Sequence, residues 1–156
     1  MSYIEDSLHS FAGNDLFKVF NFFMQDAVFA VVVLLLAVFL VWRMRKSPVV
    51  VVGSLVVVFI AVQLAKLLYQ DPRPCVGLDG CETGFGFPSL HSAMSFALAG
   101  TVFGTKAFYT LIAFAVLVAL SRVISLQHSF PQIVAGAVLG FLAPLLLQKL
   151  LSMVKL

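Results

Sequence analysis

Five apolar runs separated by short polar clusters set the plan of the chain. Ala27 to Trp42 is almost uninterrupted, and Arg43-Met44-Arg45-Lys46 stops it. A bilayer core needs ~20 helical residues, so this first span is expected to begin earlier, near Phe20 to Phe23. Trp42 stands where an interfacial aromatic belongs. Ser47-Pro48 turns the chain into a second run, Val49 to about Tyr69. Its β-branched residues would favour a strand in water. Lipid admits only helices and closed barrels, and the run is too long and uniform for a barrel strand. Asp71-Pro72-Arg73-Pro74 ends that helix, because each Pro removes a donor and pushes its predecessor out of the helical region. A polar loop reaches about Gly86. Beyond it lie a third run from Pro88 to about Phe103, a fourth from Ala107 to about Leu126 and a fifth from Pro131 to about Met153. Residues 1–26 mix aromatics with acids around Gly13-Asn14 and read as short amphipathic helices at the interface. The expectation is an all-α integral membrane helical bundle of about five transmembrane helices plus this N-terminal interfacial element. It forms one domain over 1–156, with 27–156 as the helical core.

Composition agrees with that plan. Hydrophobic residues make up 62% of the chain, charged residues 11%, and mean hydropathy is +1.08. A soluble fold of this size has no interior for so much apolar surface. The N-terminus lacks the basic start and small-residue site of a cleavable signal. A net charge of +3 does not point to nucleic acid, since the cations are scattered among lipid-length runs. Under five spans, Arg43, Arg45, Lys46, Lys106, Lys149 and Lys155 fall on one side, and Lys18, Lys66, Arg73 and Arg122 on the other. The positive-inside rule places the larger set in the cytoplasm and the other ends outside. Cys75 and Cys81 share one outer loop, where a disulfide could persist; two free thiols are the alternative.

Three of the four outer cations lie among other reactive side chains. Lys66 stands near the end of the second span, with Arg73-Pro74 seven residues on. Pro88-Ser89-Leu90-His91 opens the third. Proline suits a first helical position, and the amides around Ser89, Leu90 and His91 then point outward with the positive end of the helix dipole. Ser121-Arg122 closes the fourth span, and His128 precedes the fifth. Alone, Lys66 or Arg122 reads as a snorkelling side chain. Together, three cations, a hydroxyl, a helix N-terminus and two imidazoles describe a phosphate site. No metal is expected, because no Asp/Glu cluster or Cys/His ligand spacing accompanies them, and no cofactor is implied.

Lys66-x6-Arg73-Pro74, Pro88-Ser89-Leu90-His91 and Ser121-Arg122-x5-His128-x3-Gln132 resemble, in order and helix placement, the three-part signature of the type 2 phosphatidic acid phosphatase superfamily. Within it the chain looks most like the small undecaprenyl-diphosphate phosphatase group. The resemblance implies a metal-independent, two-step hydrolysis of a lipid phosphate or diphosphate at the extracytoplasmic face, with undecaprenyl diphosphate, phosphatidylglycerophosphate or phosphatidate as substrate types. His128 would attack phosphorus to form a phosphohistidine, and His91 would protonate the leaving oxygen. Lys66, Arg73, Ser89, the Leu90 amide and Arg122 would hold the phosphoryl oxygens. Two positions depart from the signature. Leu90 replaces Gly, and Gln132 replaces the Asp that orients the nucleophilic His. Gln can still set the ring tautomer but brings no charge. Asp71 is the acid that could approach it in space. A lipid phosphotransferase and a non-catalytic lipid-phosphate binding protein remain the alternatives, and oligomeric state is left open.

Overall fold

The computed structural model describes residues 26–77 and 81–154, so the expected interfacial element falls outside the described residues except for Asp26. Five helices follow one another: α1 Asp26–Trp42, α2 Pro48–Tyr69, α3 Leu90–Thr101, α4 Lys106–Ile124 and α5 Phe130–Val154. No strand occurs among the described residues. α2, α4 and α5 are each long and apolar enough to cross a membrane, and α1 is a shorter apolar helix of 17 residues.

Local chemistry sets the helix ends. Pro48 occupies the first turn of α2 behind Ser47, where its missing N–H costs nothing. At the other end Gln70 takes a left-handed conformation (φ 47°), and its N–H closes the last turn onto the Lys66 carbonyl. Ser89 caps α3, its hydroxyl oxygen accepting from the Ser92 amide at 3.5 Å. Beyond α4, Leu126 adopts φ 57°. The chain there folds back so that the His128 N–H donates to the Arg122 carbonyl at 3.0 Å. That one turn brings two residues of the third motif to the same place.

α3 departs from the expected third span. It has 12 residues, about 18 Å of helix, against a hydrocarbon core of about 30 Å. It is the inner helix of the bundle, with nine of its residues buried. Small side chains allow this. A Cβ on Gly140 would lie 2.0 Å from the Ala93 carbonyl oxygen, and one on Gly136 would lie 2.4 Å from that of Ser89. The backbones of α3 and α5 are therefore in direct contact, as small residues permit between membrane helices. Ser92 donates across the seam to the Ile133 carbonyl at 2.8 Å. Further along, Pro144 packs over Gly100. α1 adds a narrow inward stripe of Phe29, Val33, Ala37 and Leu40, while Val31, Leu34, Leu35 and Val38 stay exposed to the surroundings. That is the pattern of a helix with lipid on most sides.

The seam makes a testable distinction between glycines. Gly140→Ala forces a methyl into a backbone carbonyl and is expected to lower stability by about 1–3 kcal/mol, as overpacking does. Gly53→Ala meets only the Leu147 Cδ2, 3.1 Å away at the end of a flexible side chain, and is expected to be near neutral. Unfolding in detergent, followed by circular dichroism, compares the two.

Candidate active site

The motif-bearing ends of four helices, α2 to α5, meet at one end of the bundle. The anchor is Gln132, in the first turn of α5 and 2% exposed. Its Oε1 accepts from the Ser129 amide at 3.1 Å and lies 3.2 Å from His128 Nδ1. Its Nε2 donates to Asp71 Oδ2 at 2.7 Å and to the Pro72 carbonyl at 3.1 Å. Carboxylate and carbonyl partners on one side, and an amide N–H on the other, fix which way the Gln132 amide faces. His128 Nδ1 must then carry the proton it gives to Oε1. Gly86 is glycine because any Cβ there would sit 2.6 Å from the Gln132 amide.

His128 therefore turns Nε2 toward the site. Arg73 Nη1 lies 3.1 Å from it, and a guanidinium can only donate, so Nε2 keeps its lone pair. His128 lies in the link between α4 and α5. Burial, and then the charges of Arg73 and Arg122, push its pKa from 6.5 down to about 3, against a smaller opposing effect of the Gln132 hydrogen bond. The ring is neutral at any ordinary pH, the form a nucleophile requires.

Both arginines of the motifs are buried around this ring. Arg73 Nη1 also donates to the Gln127 carbonyl at 3.1 Å and forms an ion pair with Glu82 Oε2 at 3.0 Å. Arg122 Nη2 contacts Glu82 Oε1. Arg73 Nε is buried and meets no acceptor among the described residues. Lys66, half-buried in the last turn of α2, lies within electrostatic reach of Arg73, Glu82 and Asp26. His91 faces the same space, its Nε2 3.6 Å from Asp26 Oδ1 and its ring 4.3 Å, centroid to centroid, from Phe29. Ligand atoms of His91, Asp26 and Glu82 lie within 4.8 Å of one another. A cation there would compete with two guanidiniums for Glu82, so the electrostatics favour an anion.

Two details of the sequence expectation change. Pro88 lies before the Ser89 cap, so α3 opens at Leu90 and not at the proline. The Ser89 amide does not point outward; it donates to the Gln132 carbonyl at 3.0 Å. Its hydroxyl, already accepting from Ser92, can donate to a bound oxygen. Cys75 and Cys81 are bridged, 5.5 Å apart at Cα. This fixes the loop that carries Glu82, whose N–H donates to Gln127 Oε1 at 3.0 Å. Glu82, Gln127 and Asp26 belong to no motif, and nothing in their sequence context marks them. Asp71 was legible only as an acid able to approach.

The family model described as PAP2 superfamily matches residues 47–154. No curated protein and no solved structure matches the chain.

Two outcomes follow from this geometry. A Glu at 132 would set a second carboxylate against Asp71, across a gap now closed by a 2.7 Å hydrogen bond. Gln132→Glu is expected to reduce kcat/KM by ~10²-fold, and adding Asp71→Asn to restore much of it by moving the charge one position inward. Steady-state kinetics of the single and double variants decide this. The second outcome concerns acid stability. The folded pKa of His128 lies below its unfolded value, so the unfolded chain binds the proton first and stability falls between about pH 6.5 and 3. Melting temperatures from pH 7 to 4 should drop less for His128→Gln than for the wild type.

Proposed function

The chain belongs to the PAP2 superfamily, and on that premise we propose that it is a membrane lipid phosphatase working through a phosphohistidine at His128. Membership carries the coarse reading, a phosphoester hydrolase of the phosphatase type in a membrane-helical fold. The observation that carries the finer one is the arrangement around His128. Its Nδ1–H is anchored on Gln132, and its Nε2 lone pair sits 3.1 Å from a buried guanidinium.

In the first step Nε2 attacks phosphorus while the bond to the leaving oxygen breaks. Arg73, Arg122, Lys66 and the Ser89 hydroxyl face the non-bridging oxygens, and their contacts strengthen as charge develops there. His91, across the same space, gives its proton to the leaving oxygen. Asp26 Oδ1 lies 3.6 Å from His91 Nε2, on the side of the ring that faces this space. In the second step water attacks the phosphohistidine, His91 takes the water's proton, and inorganic phosphate leaves with His128 restored.

The substrate is a lipid phosphate or diphosphate, of the undecaprenyl diphosphate, phosphatidylglycerophosphate or phosphatidate type. It would be delivered at the bilayer edge, where the helix ends converge. The extracytoplasmic face is the proposed side, on the asymmetry of Lys and Arg and on the disulfide in the loop beside the site.

Phosphate release from these three lipids in detergent is expected to proceed in EDTA, to be inhibited by vanadate and to be abolished in His128→Ala. Activity that EDTA removes, or that survives His128→Ala, would contradict the mechanism. Lipid alcohols as acceptors separate hydrolysis from phosphotransfer. Binding without any turnover would support the non-catalytic alternative.

A further inference from the structure

The position between the two guanidiniums is filled by a side chain of the protein itself. One oxygen of Glu82 meets Arg73 Nη1 at 3.0 Å and the other meets Arg122 Nη2. Arg73 Nη1 in turn touches His128 Nε2 at 3.1 Å, and His91 reaches within 4.8 Å of the same carboxylate. A phosphoryl group transferred to His128 needs this space. We propose that Glu82 is a specificity-determining stopper, an internal carboxylate that a terminal phosphate dianion displaces and a monoanionic phosphodiester does not. The inference rests on the phosphatase reading of the site.

Three features support displacement over a fixed structural ion pair. The first is an unmet donor. A carboxylate offers two oxygens and a terminal phosphoryl group three, and Arg73 Nε, in a side chain 5% exposed, is buried without an acceptor among the described residues. The second is direction. The Glu82 side chain is 22% exposed, whereas those of Arg73 and Arg122 are 5% and 4% exposed, so Glu82 enters from the open side and can withdraw along it. The third is tethering. Cys81 is bridged to Cys75, and the Glu82 N–H is held on Gln127 Oε1 at 3.0 Å. The backbone stays in place while the side chain swings, so the stopper remains poised to return.

Charge then sets the selection. Arg73, Arg122 and Lys66 bring three positive charges against two negative ones, from Glu82 and from Asp26 beside it. A dianion gains more from that field than the carboxylate it expels; a monoanion brings the same charge as Glu82 and has no such advantage. The bulk lipids at the bilayer edge are monoanionic or zwitterionic diesters, present in large excess over any phosphomonoester. A carboxylate in the seat keeps them from occupying it.

The test uses the full-length protein in detergent. Inorganic phosphate at pH 8 is expected to bind Glu82→Gln about tenfold more tightly than wild type, as loss of a competing charged hydrogen bond implies. It should also raise the variant's melting temperature more. Glu82→Asp keeps the charge but falls a methylene short of the guanidiniums, and should also bind phosphate more tightly. In turnover, KM for a lipid phosphomonoester should fall in Glu82→Gln, and phosphatidylglycerol should become a competitive inhibitor of the variant alone. Phosphate affinity and diester inhibition unchanged in both variants would overturn the stopper. So would a loss of phosphate binding on removing Glu82. The phosphate-binding arm needs no catalysis, so absence of turnover in the wild type counts against the phosphatase reading and leaves the stopper to be judged by binding.

Discussion

A single side-chain amide ties the His128 ring to helix α5 and to the loop after α2. Gln132 receives His128 Nδ1 and the Ser129 amide on its oxygen, and gives its nitrogen to Asp71 and Pro72. Each of these partners alone would leave the ring free to choose between tautomers. Together they orient the amide, the amide orients the imidazole, and the imidazole presents Nε2 toward Arg73. The superfamily signature described above places an acid at this position, whereas here the acid stands one hydrogen bond further out, at Asp71. The negative charge is still connected to the ring through the amide, at the cost of distance. An amide also brings no ionised group into contact with His128, and the ring stays neutral under the combined pressure of burial and two arginines.

That arrangement depends on packing well away from it. Ser89 and Gln132 are joined by a backbone hydrogen bond, and the α3–α5 seam below them closes only because residues 136 and 140 are glycines. The short, buried α3 thus has its register set against α5, and His91 in its first turn is carried to the same end as His128. Gly86 completes the set by leaving room for the Gln132 amide. Close backbone approach takes the place of the large apolar core of a soluble protein, and the outward faces of α1, α2, α4 and α5 keep large apolar side chains exposed.

Much of this was legible in the sequence, and the reasons are specific. The apolar runs located the five described helices to within a few residues, because a long apolar stretch bounded by charged clusters and prolines reads directly as a helix. Proline at 48 and at 72 marked a helix start and a helix stop for stereochemical reasons that hold in any context. The spacings around Lys66, Arg73, Ser89, His91, Arg122 and His128 singled these residues out because charge in such apolar surroundings is costly. The short, interior character of α3 was not legible, since a buried helix and a lipid-facing one differ little in composition. Glu82 was invisible for another reason. Its importance lies in a loop conformation, set by the Cys75–Cys81 bridge and by Gln127, which no periodicity encodes. Ser89 was misjudged at one atom, its amide, because only the fold reveals that the Gln132 carbonyl lies opposite.

The central claim is that Gln132 holds His128 so that Nε2, and not Nδ1, meets the phosphoryl group. Rapid denaturation of the enzyme during turnover, at alkaline pH where phosphohistidine survives, followed by mass spectrometry and phosphorus NMR, tests it directly. The account predicts a single phosphoryl group on His128, attached at Nε2. A phosphoryl group at Nδ1, on another residue, or on none while phosphate is being released would contradict it.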